Sequence, residues 1–248
     1  MSLLSPDIRI ALTPGLVAAA APRLYREAAV EEGGDALDAL DGLLGSLSLR
    51  GRARVVLSHE LARVGLLTAP PVRLNTGEMK AWVREHYVRQ FGDVAEGWRF
   101  VWQPAPPGRP VLTGAVDAGW FAALRQTLSQ RGLKPAVVEP WLAVACARLP
   151  TALGSEGTWL ALAEPGRITL ARLERGVFRS LRSSRMTGDP AAALAGMVAR
   201  ESLRGELADD LPVWLECVRI QADWQGRSGL EVRRPAAAQS GLAPMLGA

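Results

Sequence analysis

Two stretches of the chain, one in each half, share an arrangement that limits what it can fold into. "IRIALTPGLVAAA" (residues 8–20) and "LALAEPGRITLARLERG" (residues 160–176) each place Pro-Gly between two apolar runs. Short apolar runs joined this way read as paired strands. Proline pre-sets φ at the second turn position and glycine accepts a positive φ at the third, the type II signature. Aligning Pro14-Gly15 with Pro165-Gly166 also superposes Ile8 on Trp159, Val17 on Ile168 and Ala19 on Leu170. A duplicated hairpin restricts the chain to folds built on an internal repeat.

The segments after each hairpin extend the repeat. Residues 7–27 read as three strands, "DIRIAL", "LVAAA" and "RLYREA". A helix comes next, "DALDALDGLLGSL", with Leu37, Leu40, Leu43, Leu44 and Leu47 on one stripe. "ARVVLS" (53–58) is a buried-type strand, and "VGLLTAPP" after it is ambiguous. Asn75 with Glu78 forms a capping box ahead of a helix carrying Met79, Trp82, Val83, His86, Tyr87 and Phe91, which Gly92 stops. "WRFVWQP" and "RPVLTGAV" form an inserted hairpin. Asp117 then caps a helix with Phe121, Leu124 and Leu128 facing inward, the strand "KPAVVE" comes next, and Pro140 opens a helix with Leu142, Cys146 and Leu149. At "GSEG" the pattern restarts: "TWLALA", "RITLARLE" and "GVFRSLRSS", a helix capped by Asp189-Pro190 with Leu194, Met197 and Val198 inside, and the strand "LPVWLECV". The polar, then Ala/Gly/Pro-rich end reads as a loose tail. The order predicts a two-lobed α/β protein: a first lobe at 1–153, a shorter second lobe at 154–220, and the tail at 221–248.

Composition removes several classes. With 248 residues, 48% of them hydrophobic, the chain can bury full cores and is not disordered. No run approaches the roughly 20 apolar residues of a membrane span. "GLVAAAAP" resembles a signal-peptidase site, but Pro6, Asp7, Arg9 and Pro14 interrupt any apolar stretch and no basic segment comes first, so no signal peptide is expected. Cys146 and Cys217 are the only cysteines, and their apolar surroundings read as reduced core thiols of a cytosolic protein, with neither disulfide nor metal site. The net charge of +4 is carried almost wholly by arginine, since Lys80 and Lys134 are the only lysines. That suits an acidic partner surface and is a weak indicator of nucleic acid.

The element order resembles the actin-like ATPase superfamily, in which two ribonuclease-H-like lobes each begin with a three-stranded antiparallel unit. Within it, the chain is most similar to bacterial inner-membrane platform proteins: the cytoplasmic M protein of type IV pilus assembly and the cytoplasmic domain of the type II secretion L protein. The stretches behind the resemblance are "VDAGWFAALRQTLSQRGLKPAVVEPWLAVACAR" and "TWLALAEPGRITLARLERGVFRSLRSS", and it spans roughly residues 7–218. It implies two actin-like lobes, the second truncated. Active members carry an Asp-x-Gly type turn in both first hairpins, where the carboxylate manages magnesium and the glycine admits phosphate. Here the first turn, Thr13-Pro14-Gly15, has no carboxylate. The second keeps Glu164 but places Pro165 next to it, which removes a backbone donor. No Gly-Gly adenosine motif lies downstream. The expectation is therefore a non-catalytic cytoplasmic adaptor. It would have no catalytic, cofactor-binding or metal residues, no cofactor, no small-molecule substrate and no nucleic acid. It would bind inner-membrane pilus or secretion platform proteins, or an assembly ATPase, through grooves beside its strands or between its lobes, and would meet the membrane only through partners. The alternative is an active ATPase or kinase whose phosphates would lie against Thr13, Gly15, Glu164 and Gly166.

Other constellations carry both a structural and a chemical reading. Ser58-His59-Glu60 puts a nucleophile, a base and an acid in a row, but adjacent residues point apart, so a solvated loop or helix start is expected. His86 lies on an apolar stripe without a second ligand at i+4, which suits a hydrogen-bonded, half-buried histidine better than a metal ligand. Arg172, Arg175, Arg179, Arg182 and Arg185 either guard an edge strand or form a cationic face for an acidic peptide or phosphate. The eight tryptophans, including Trp98, Trp102, Trp120 and Trp141, read mostly as core or lobe-interface packing, with one or two at a docking groove. A nuclease of ribonuclease-H type would need acids on the central strands, and "IRIALT" and "TWLALA" carry none in their middles.

Overall fold

A computed structural model describes residues 8–150, 157–205, 211–234 and 241–246. They fall into two compact units, Met1–Trp141 and Leu142–Ala248.

The first unit opens with the antiparallel meander β1 (Ile8–Leu12), β2 (Leu16–Ala21) and β3 (Leu24–Ala29). Helix α1 (Ala36–Ser46) starts where the Asp35 side chain accepts from the Leu37 N–H at 2.9 Å. Strand β4 (Gly51–Leu57) returns parallel to β1. Next come β5 (Arg63–Thr68), α2 (Thr76–Phe91), a 3₁₀ turn at Asp93–Gly97, β6 (Trp98–Trp102) and β7 (Pro110–Asp117). Helix α3 (Ala118–Gln130) leads to β8 (Leu133–Pro140), parallel to β4. The main sheet has the order β3-β2-β1-β4-β8. Its inward face packs Ile8, Ile10, Leu12, Val55 and Leu57 against the Leu37/Leu40/Leu44 stripe of α1 and Leu124 and Leu128 of α3.

The inserted element is larger than a hairpin. "RVGLLT", ambiguous in the sequence, is β5, and it pairs with β7 to give a three-stranded sheet β5-β7-β6. Its core is Val83, Tyr87, Ala95 and Ala115, with Trp98, Phe100 and Trp102 against it. The capping box at Asn75 and Glu78 is complete, which fixes where α2 begins.

The second unit begins with α4 (Leu142 onward in Trp141–Arg148) and repeats the meander as β9 (Thr158–Glu164), β10 (Arg167–Glu174) and β11 (Val177–Arg185). Helix α5 (Pro190–Gly205) and β12 (Val213–Cys217) come after it. The described residues of the expected tail, 221–234 and 241–246, are not loose. Helix α6 (Trp224–Ser228) buries Trp224, β13 (Val232–Arg233) pairs parallel with β12, and α7 (Ala243–Leu246) buries Met245 and Leu246. The sheet order is β11-β10-β9-β12-β13, the first unit's order again, with a two-residue fifth strand and, among the described residues, no inserted sheet.

The repeat holds residue by residue. Leu12 opposes Val17 and Ile10 opposes Ala19; Ala163 opposes Ile168 and Ala161 opposes Leu170. The Ser58 N–H donates to Leu12 and the Val218 N–H to Ala163, both at 2.9 Å. The Val30 N–H donates to Gly15 and the Met186 N–H to Gly166. Asp35 and Asp189 cap equivalent helices, and Leu40, Leu43 and Leu44 correspond to Leu194, Met197 and Val198.

Candidate functional site

The resemblance of the sequence to actin-like ATPases implies phosphate contacts at the β1–β2 and β9–β10 turns. The first turn spends the donors of Thr13 and Leu16 internally. The Thr13 N–H and hydroxyl both lie 2.9 Å from the Leu16 carbonyl, and the Leu16 N–H donates to the Thr13 hydroxyl at 2.9 Å. Pro14 has no N–H. Thr13 itself is buried. Gly15 does not have the positive φ of a type II turn, because the threonine side chain closes this turn instead. Gly166 has it, at φ 81°, so the type II expectation holds at the second turn only.

Glu164, the one carboxylate in either turn, is only 2% exposed. Trp159, Ala161 and Ala163 face α5, so strand alternation puts Leu160, Leu162 and Glu164 on the opposite face. Glu216 of β12 opposes Leu162 and shares that face. This second acid lies outside the strands where the sequence was searched for a nuclease centre. Glu216 is committed to an ion pair with Arg148 of α4 and has the Trp214 indole N–H at 3.5 Å. A magnesium site needs carboxylate oxygens turned toward water; among the described residues, no group of His, Cys, Asp and Glu could hold a metal ion.

Ser58 and His59 are 0% and 2% exposed, so they form no solvated loop. The Ser58 carbonyl accepts from Leu61 and Ala62 in one helical turn, and the His59 ring stacks on Trp141 at 6.2 Å. Ser58 is spent on the Glu60 N–H at 3.3 Å, and no Ser-His-Glu relay forms. His86 is a packed histidine: Nδ1 lies 2.9 Å from the Trp82 carbonyl and the ring 4.5 Å from the Trp82 ring. The arginine series does not make one face. β11 is an edge strand. Arg172 and Arg182 align with Leu170 on the α5 side, whereas Arg185 pairs with Arg167 on the other. Arg179 is held by Glu174 at 2.9 Å, and Arg182 and Arg204 converge on the buried Glu201 at 3.4 and 2.6 Å. Trp141, Trp159 and Trp224 are buried, while Trp98 and Trp102 pack half-buried in the inserted sheet. Trp120 packs half-buried against the core of the first unit.

Both thiols are free. Burial, with Glu216 nearby, pushes Cys146 up to about 12. Burial also raises Cys217, against the opposing pull of Arg234, whose guanidinium donates to its Sγ at 2.7 Å. Neither is poised as a nucleophile.

One groove in the first unit has a different character. A cavity of about 750 Å³ lies where β6, α3 and β8 meet, bordered by Arg99, Phe121, Arg125, Leu133, Lys134 and Val138. Phe121, expected inside the core, lies on this wall with the Arg99 guanidinium 5.0 Å from its ring centroid. The sequence shows no trace of this grouping, because its cations come from three elements.

No protein-family model and no curated protein matches the chain. Solved structures do. The cytoplasmic domain of EpsL, an inner-membrane component of the type II secretion system of Vibrio cholerae, matches with a TM-score of 0.61 and 14% identity, over 96% of this chain and 92% of that one. The PilM–PilN type IV pilus biogenesis complex matches at 0.67 and 14%, over 93% and 88%. A Bacteroides thetaiotaomicron protein with an actin-like ATPase fold and unknown function matches at 0.66 and 11%, over 97% and 95%. No helix among the described residues is long and apolar enough to cross a membrane. With its doubled meander, its matching strand orders and these likenesses, the chain has the actin-like ATPase fold.

Proposed function

We propose that this chain is a non-catalytic, actin-like adaptor of a type IV pilus or type II secretion inner-membrane platform, which binds partner proteins and works on the cytoplasmic side. The observation that carries the non-catalytic half is the first turn, where Thr13 and Leu16 consume each other's donors and no carboxylate is present. The likeness to the EpsL cytoplasmic domain and to the PilM–PilN complex supports the platform half. The reading needs no nucleotide, metal or small-molecule substrate, and contact with the membrane comes through partners.

Titrating the full chain with Mg-ATP, monitored by tryptophan fluorescence and thermal shift, is expected to show no change. Micromolar binding abolished by Glu164→Gln would overturn the non-catalytic half and favour an active nucleotide-binding protein. The platform half is tested by co-purification with the inner-membrane platform proteins and the assembly ATPase of the same cell. Recovery of none of them counts against it.

A further inference from the structure

The inserted sheet ends in a proline ridge. Strand β6 gives way to Gln103-Pro104-Ala105-Pro106-Pro107-Gly108-Arg109 before β7, and β5 gives way to Ala69-Pro70-Pro71-Val72-Arg73. Arg99, on the cavity, pairs with Val116 at the opposite end of the sheet. Backbone bonds tie the two loops together: the Ala69 N–H donates to the Arg109 carbonyl at 3.1 Å and the Gly108 N–H to the Pro70 carbonyl at 3.0 Å. The turn that brings the chain back requires one proline only. Pro107 precedes Gly108 at φ 71°, and the Arg109 N–H closes on the Pro106 carbonyl at 3.1 Å, the type II pattern. Pro70, Pro71, Pro104 and Pro106 lie outside that requirement. A residue ahead of proline is driven from the helical region into the extended one, which holds Gln103, Ala105 and Pro106 near polyproline II. With three residues per turn, Pro104 and Pro107 share one edge of that segment. Pro71, Pro104, Pro106 and Pro107 are exposed, and Val72 stands 60% exposed. Exposed Arg73 and Arg109 flank the ridge, and among the described residues neither forms an ion pair, whereas Arg84 and Arg89 of α2 do. A lipid surface suits this ridge poorly, because the carbonyls of an extended segment would enter hydrocarbon unpaired. A protein groove lined by aromatic rings and rimmed with carboxylates takes the proline rings and pairs both arginines. A segment already rigid and extended also loses little entropy on binding.

We propose that this ridge docks a partner domain that reads polyproline II segments, with aromatic slots for Pro104 and Pro107 and carboxylates for Arg73 and Arg109. The proposal goes beyond the adaptor reading and requires no membership of a pilus or secretion platform. The probe is an isolated, isotope-labelled Src-homology-3 domain, whose groove has this chemistry, titrated with the full chain while its amide shifts are recorded. Saturable binding is expected, with the shifts confined to the aromatic groove. Pro104→Ala should weaken it severalfold, and Arg109→Glu by about tenfold, the worth of one close charge pair. Pro22→Ala, at an exposed turn of the main sheet, should leave it unchanged. All three positions are exposed, so folding is verified by an unchanged thermal midpoint. Absent binding, shifts outside the groove, or indifference to both ridge variants overturns the proposal. Equal binding by a domain whose groove tryptophan is changed to alanine does so too, as does sedimentation with phosphatidylglycerol vesicles in place of domain binding. If the domain binds as expected and no platform protein is recovered, the ridge stands and the adaptor reading fails. If platform proteins are recovered and the domain does not bind, the ridge fails and the adaptor reading stands.

Discussion

Glu216 sits on a central strand with its side chain wholly out of solvent, and Arg148 is its counter-charge. Arg148→Met removes the counter-charge from a buried carboxylate, at an expected cost of about 3 kcal/mol in urea unfolding. Adding Glu216→Leu should recover much of the loss, because replacing a whole buried pair is cheaper than breaking it. The exposed pair Asp41–Arg131 behaves differently. Two hydrogen bonds, at 2.7 and 2.5 Å, hold the Asp41 carboxyl below its ordinary value of 3.8. A depressed folded-state pKa means stability present above the unfolded value and lost as pH falls through the folded one. Asp41→Asn should therefore be less stable than the native chain at pH 7 and equal to it well below the ordinary Asp range, in parallel denaturant titrations. Cys146 gives the opposite limb. Its thiol, pushed up to about 12, stays protonated in the fold after the unfolded thiol has ionised near pH 8.5. Stability should fall as pH rises above that point, and less so in Cys146→Ala.

At the level of elements, the two Pro-Gly turns are alike in sequence and different in physics. Gly166 sits at φ 81°, where a side chain is strained, whereas Gly15 has neither a positive φ nor any atom within 4 Å of an added Cβ. Gly166→Ala should cost about 1 kcal/mol and Gly15→Ala almost nothing, by thermal or urea unfolding. Asp35→Ala and Asp189→Ala, which remove equivalent helix caps, should each cost about 1 kcal/mol. The repeat was legible because it is written in local signals: proline and glycine at the turns, leucine at helical spacing, and aspartate before each helix. Superposing Ile8 on Trp159 and Val17 on Ile168 anticipated the observed register. The features that stayed illegible depend on distant partners. "RVGLLT" becomes a strand only because β7 supplies its ladder, and β13 forms two residues of strand because β12 offers an edge. Ser58 and His59 are polar in sequence, and only the fold shows them buried. The cationic cavity joins residues 99, 125 and 134, whose convergence no local pattern encodes.

For the molecule as a whole, a net charge of +4 and a pI near 9.7 invite the reading of a nucleic-acid binder. The placement of the arginines argues otherwise. The series on β10 and β11 splits between the two faces of its sheet, and Arg179 and Arg182 are neutralised by Glu174 and Glu201. Binding a duplex backbone requires several cations in line along one surface, each phosphate contact adding to the salt dependence. Arg99, Arg125 and Lys134, which cluster without a carboxylate among the described residues, border a cavity of mixed polar and apolar lining rather than a stripe. The expectation is that a labelled DNA duplex shows no saturable binding to the full chain at physiological salt, and that binding at low salt disappears with a log–log slope of about 3 or less. A steeper slope, or retention of the duplex at physiological salt, would reveal a continuous basic surface and favour a nucleic-acid binder. Charge reversal at Arg125 and Lys134 should flatten whatever slope exists, because those two cations belong to a patch that no carboxylate quenches.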